Sequence, residues 1–121
     1  MANDYDATAK NVMLDALAAV CLRAALHSGD PGAANAADNE LSGGSPAYAR
    51  KAITWGAASA GSMDETTSPT FDVEGGDTVS WVSFWNTAGT VRYLKKNVTD
   101  EVFGAQGTYQ LTDTDFDLND A

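Results

Sequence analysis

The first stretch of regular pattern along the chain is helical. Leu14, Leu17, Cys21 and Ala24 recur at three- and four-residue spacing, and Met13 and Val20 widen the stripe. Ala16, Ala18, Ala19, Ala24 and Ala25 add helix propensity. Asp4 and Asp6 put negative charge where the positive end of such a helix lies, and Asp6 or Thr8 is placed to cap it. The run His27-Ser28-Gly29-Asp30-Pro31-Gly32 stops it, because Gly29 suits the left-handed position after the last turn and Pro31 cannot continue a helix. The pattern predicts one helix over residues 8–27.

From 30 to 48 the pattern is lost. Small and polar residues dominate, and Leu41 is the lone large aliphatic. Structureless stretches of this length are uncommon inside compact domains unless they serve a function. This one is read as an arm suited to lie against a neighbouring protein. Asp30, Pro31, Leu41, Tyr48 and Arg50 are its candidate contact residues.

Beyond residue 48 the pattern becomes that of short strands. Runs rich in β-branched and aromatic residues fall at 49–55, 69–73, 78–85, 90–95, 107–111 and 114–118, with Gly75-Gly76-Asp77 and Ala88-Gly89 as turns. Residues 56–68 are small and polar and read as a connecting loop. In the run at 78–85, Val79, Trp81 and Trp85 share one face, while Val82 and Phe84 share the other. A strand apolar on both faces is central, and something must cover each face: a second sheet, the helix or a neighbouring subunit. Trp81 and Trp85 are therefore core or interface residues. The whole predicts a mainly β protein, an antiparallel β-sandwich of Ig-like or jelly-roll-like type preceded by one α-helix. Its parts are a helical segment at 1–29, the arm at 30–48 and the β body at 49–121, within one domain.

Charge narrows the partners. Seven Lys and Arg face seventeen Asp and Glu, a formal net charge of -10. Such a chain repels nucleic acid and anionic membranes, and the pairs Arg50-Lys51 and Lys95-Lys96 are too small to reverse that. No run approaches the ~20 apolar residues of a membrane span, and the N-terminus lacks the basic and apolar regions of a signal peptide. Synthesis in the cytoplasm is expected. The one cysteine, Cys21, excludes an internal disulfide framework.

Candidate chemistry is sparse. His27 and Cys21 are six apart and on a helix would point ~240° from each other. No Gly-x-Ser-x-Gly elbow is present. His27 is read as meeting the last helix carbonyls, and Cys21 as a small hydrophobe. Asp113, Asp115, Asp117 and Asp120 lack the glycine turn and closing glutamate of a Ca²⁺ loop. Their alternation with Thr114, Phe116 and Leu118 instead predicts a terminal strand with one wet face. Gly43-Gly44 and Gly75-Gly76 precede no phosphate-binding helix, and Asn97-Val98-Thr99 is a chance glycosylation sequon. Trp55, Trp81, Trp85, Tyr93 and Tyr109 would serve a sugar platform only if exposed; core packing is the simpler reading. No enzyme, cofactor or metal site is expected.

Several stretches, in order, resemble a known family. They are Leu26 through Gly32, Glu40 through Gly44, Ala47 through Ala58, Phe71 through Val73, Val79 through Asn86 and Phe103 through Leu111. The sequence is similar along residues 26–118 to small phage proteins labelled minor tail or tail-fibre proteins, departing from them around 87–96. The resemblance implies a virion component that binds its own copies, as a symmetric homo-oligomer, and neighbouring virion proteins. It leaves open a capsid decoration role and, from another class, a module that binds host-surface glycans.

Overall fold

The computed structural model describes residues 5–112 and 115–118. Asp4, Asp113, Thr114 and Asp120, invoked above, lie outside the described residues.

The helix α1 spans Ala7–Ala18, with Asp6 at its N-cap in extended conformation. Its buried residue is Leu14, and Leu17 and Ala18 pack partly against the core. Met13 and Val20, expected to widen the buried stripe, are exposed. The expectation of a helix to residue 27 is corrected here. Leu17 O accepts hydrogen bonds from both Val20 N and Cys21 N, which closes the last turn. The chain then runs extended as β1, Arg23–His27. Ala24, Ala25, Leu26 and His27 are all buried, as a strand covered on both faces requires. A short alanine-rich run fits a buried helix and a buried strand equally well. Pairing decides between them, and this segment has strand partners on both sides.

The remaining strands are β2 (Lys51–Ala52), β3 (Ser62–Asp64), β4 (Thr70–Val73), β5 (Thr78–Trp85), β6 (Arg92–Val102), β7 (Gly107–Gln110) and β8 (Asp115–Asp117). All pairings are antiparallel. The main sheet has the order β2-β1-β5-β6, and two small sheets pair β3 with β8 and β4 with β7. β3 lies inside the segment read as a connecting loop; Met63 is buried there and pairs with Phe116, which anchors the segment. β6 runs well past the predicted 90–95. Of the predicted strand at 49–55 only Lys51–Ala52 pairs regularly, while Trp55 makes an isolated bridge to Glu65.

Register sorts the main sheet into two faces, because directly opposed residues point the same way. Ala24 faces Phe84 and Leu26 faces Val82. These four join one apolar cluster with Leu14 of α1, Met63 of β3, Phe71 and Val73 of β4, and Phe116 of β8. The small sheets and the helix therefore cover this face, and the fold is a mainly β sandwich with one N-terminal helix. The other face carries Ala25, His27, Ser83 and Trp85, all buried, together with Trp81. Among the described residues no second sheet covers it. Residues 28–50 do.

Candidate interaction surface

The arm is fastened to its own sheet at several points. Near its start, Asp30 pairs with Lys95 of β6 at 2.6 Å and accepts a hydrogen bond from Gly32 N at 2.9 Å. The Lys95 contact and the Gly32 N–H hold the Asp30 carboxyl below the usual carboxylate range. In the middle, the Arg92 guanidinium donates to three arm carbonyls, those of Gly32, Ala33 and Ala36. Gly32 is in the left-handed region at φ 97°, where a Cβ would also lie 2.6 Å from an Asp38 carboxylate oxygen. At the end, Glu40 receives Arg50 Nε and Nη2 and the Tyr48 hydroxyl, each at 2.9 Å. Burial pushes the Glu40 carboxyl up, but the hydrogen bonds from Arg50 and Tyr48 and the Arg50 charge outweigh it and hold it below its ordinary value. The Arg50 guanidinium also lies 4.1 Å above the Trp85 ring, a cation–π contact.

Beneath the arm runs a buried polar ladder. Trp85 Nε1 donates to Ser83 Oγ at 2.6 Å. The Ser83 hydroxyl, 2.6 Å from His27 Nε2, is then free to donate to it, and His27 Nδ1–H donates to Asp38 O at 2.8 Å. This assigns a neutral Nδ1–H imidazole. Burial pushes the His27 pKa down. The expectation that His27 meets helix carbonyls is corrected: it sits in a strand, and its partners are Ser83 and an arm carbonyl. A serine hydroxyl beside an imidazole resembles half of a nucleophilic triad. Here both side chains are 0% exposed, so no substrate reaches the hydroxyl.

The proposed contact residues therefore divide. Pro31, Leu41 and Trp85, read as contact residues, are buried within the chain. Tyr48 is half-buried, stacked on Phe71, and its hydroxyl also accepts Leu26 N at 2.9 Å. Arg50 is occupied by Glu40 and Trp85. Asp30 is exposed, and Trp81 is half-buried with Lys95 Nζ 5.7 Å from its ring centre. Trp55 packs between Phe84 and Phe116.

The surface that sequence reasoning missed is the far side of the sheet. β6 is the terminal strand of the four-stranded order, and among the described residues no strand pairs with its outer edge. Tyr93 and Leu94 are each 37% exposed and Val102 is 73% exposed. Beside it lies a groove of about 440 Å³, lined by Leu14 and Leu17 of α1, Leu94 and Lys96 of β6, and Phe116 and Leu118 of β8. The groove opens where the sandwich is not closed between helix and sheet edge. Residues 92–102 carry no regular alternation of polar and apolar positions, so nothing in the sequence signalled the strand beyond 95. No group of His, Cys, Asp or Glu among the described residues is arranged to hold a metal ion, and no described helix is long and apolar enough to cross a membrane.

The chain is thus a β-sandwich with one open sheet edge, an apolar groove beside it and a Ser–His pair sealed from solvent. The family model of podophage GP4 fiber I protein gp80 matches residues 3–101, and the chain belongs to this phage tail-fibre-like family. Membership of a phage fibre family makes it a virion component. The match takes in α1 and nearly all of the main sheet, and ends one residue before the end of β6. No curated protein and no solved structure matches the chain significantly.

Proposed function

We propose that this protein is a non-enzymatic building block of a phage tail fibre or tail tip, holding neighbouring virion proteins and further copies of itself. The observation that carries the reading is the match to a podophage fibre protein family along residues 3–101. The architecture supports it. Polar groups that might have done chemistry are used internally to fasten the arm, while apolar surface is left on one edge strand. Contacts then fall on β6, the adjoining groove and the outer side of the arm near Asp30 and Trp81, not on the buried Pro31, Leu41 and Trp85.

The test is to label virions that carry the chain with gold-tagged antibody and image them. Label confined to the tail fibres or tail tip is expected. Label spread over the head would replace the proposal with capsid decoration, and unlabelled particles would refute a virion role. A purified protein that bound host cells, with binding lost to free glycan, would move the function to host recognition.

A further inference from the structure

The helix α1 is apolar on two sides. Leu14, Leu17 and Ala18 turn to the body, and Asn11 Oδ1 and Asp15 Oδ1 fasten that side by accepting hydrogen bonds from Gly61 N and Ala58 N at 3.0 and 2.9 Å. At about 100° per residue, Ala9, Val12, Met13 and Ala16 fall within one arc on the opposite side. Val12 is 65% and Met13 40% exposed, and just beyond the helix ends Tyr5 and Val20 are 56% and 44% exposed. The charged residues within the helix, Lys10 and Asp15, lie off this strip on its two flanks. A surface helix is ordinarily polar on its outer side. Here a chain of net charge -10 leaves that side of the helix without a charge.

The strip matches itself. Turned end for end about a point between Val12 and Met13, it places Ala9 where Ala16 was and Tyr5 where Val20 was. A second copy laid antiparallel on it, about a twofold axis at that point, sets Ala9 against Ala16 of that copy. At the axis Val12 meets its own counterpart on one flank, and Met13 meets its counterpart on the other. The alanines let two helices approach closely, and the larger side chains close the flanks and ends. The antiparallel setting opposes the helix dipoles and keeps the exposed Asp6 carboxylates at opposite ends; a parallel one would bring them together. The strip also runs on into the groove, since Met13 lies one turn before Leu17, which lines it. With the groove rims, two such helices cover roughly the 1,000 Å² that a specific contact needs. Copies of an acidic chain repel one another over most of their surface, and this neutral strip is where approach costs least.

We infer that α1 is the contact through which two copies of this chain join, antiparallel, with Val12 and Met13 at the twofold axis. This rests on the reading that the protein binds its own copies, and it names the helix face, the direction and the axis. Both copies present the same patch, so the contact closes at two and leaves β6 and the arm for other virion proteins.

The test uses the full chain, with mass measured by light scattering after gel filtration. Wild type should show twice 12.6 kDa. Val12→Glu sets two carboxylates against each other at the axis, and Val12→Lys two ammonium groups. Each should weaken self-association by at least about tenfold. Mixing the two variants should restore a dimer, because each charge then meets its opposite. Val12 is exposed, so neither variant disturbs the core, which circular dichroism checks. Direction is read with a short thiol-to-thiol linker, Cys21 being buried. Ala9→Cys and Ala16→Cys should each fail to cross-link alone and should cross-link when mixed. A wild-type dimer that neither Val12 variant weakens would overturn the α1 contact while leaving self-association standing. A wild type that stays monomeric to millimolar concentration would overturn self-association itself; if Val12→Glu were then lost from virions, the strip would belong to another virion protein. Variants that dissociate but do not recombine would overturn the axis, and cross-linking of either cysteine variant alone would overturn the direction.

Discussion

Replacing Glu40 by Gln tests whether the arm is part of the folded body. Gln keeps the shape but removes the charge that receives two Arg50 bonds and the Tyr48 hydroxyl, each at 2.9 Å. An exposed ion pair is worth ~0–1 kcal/mol, while breaking a fully buried one costs ~3–5 kcal/mol. The Arg50 and Glu40 side chains are 25% and 20% exposed, which places the pair between these limits. Arg50 would also remain over Trp85 without its counter-charge. A loss of about 2–3 kcal/mol is expected, equivalent to roughly 8–12 °C in Tm for a chain of this size. The assay is a double-mutant cycle with Arg50→Met, which keeps an apolar stem over Trp85, followed by thermal and urea unfolding. The double variant should lose about 1.5–2 kcal/mol less than the sum of the singles, because removing the second partner relieves the stranded charge. Hydrogen exchange should show the loss first at residues 28–50. Additivity within about 0.5 kcal/mol would refute the reasoning and reduce the pair to surface decoration.

Further outcomes follow from the buried groups. His27 is held below its ordinary 6.5, so the unfolded chain takes up the proton first; stability is fully present above pH 6.5 and declines as pH falls below it. His27→Gln should flatten that decline below pH 6.5, and parallel curves would count against the ladder. Trp85→Ala should cost ~3–5 kcal/mol as a core truncation, whereas Trp81→Ala, half-buried beneath Lys95, should cost about 1–2 kcal/mol; equal losses in chemical denaturation would refute the difference in their burial. Cys21 is fully buried and burial pushes its thiol up to about 12, so a thiol reagent should label it only as fast as the chain unfolds.

The β-rich sandwich and its central strand were legible because β5 announces itself: apolar side chains on both faces have few other solutions. The alternation of Phe116 with Asp117 likewise gave β8. The helix was misjudged in its second half because Ala24 and Ala25 carry no preference strong enough to resist pairing with β2 and β5. β3 went unread because three residues held by one methionine produce no periodicity. The candidate site was legible in composition only. That residues 30–48 form a long loop could be read directly; that it docks on its own sheet depended on Arg92, Lys95 and His27, each distant in sequence and each with an unremarkable local pattern. Pro31 and Leu41 looked like contacts because they were the apolar points of a polar stretch, and they are, but to the chain itself.

The arm's fastenings differ in how they respond to acid. Asp30 and Glu40 act through carboxylates held ionised below their ordinary values, so those links persist above that range and fail as pH drops through the lowered values. Arg92 instead grips carbonyl oxygens, and neither member of those bonds titrates in acid. Progressive acidification would therefore release the two ends of residues 30–40 while the middle stayed clamped. The cover over the His27 ladder is in this sense hinged at its centre, and it would lift from its margins before the sandwich beneath it came apart.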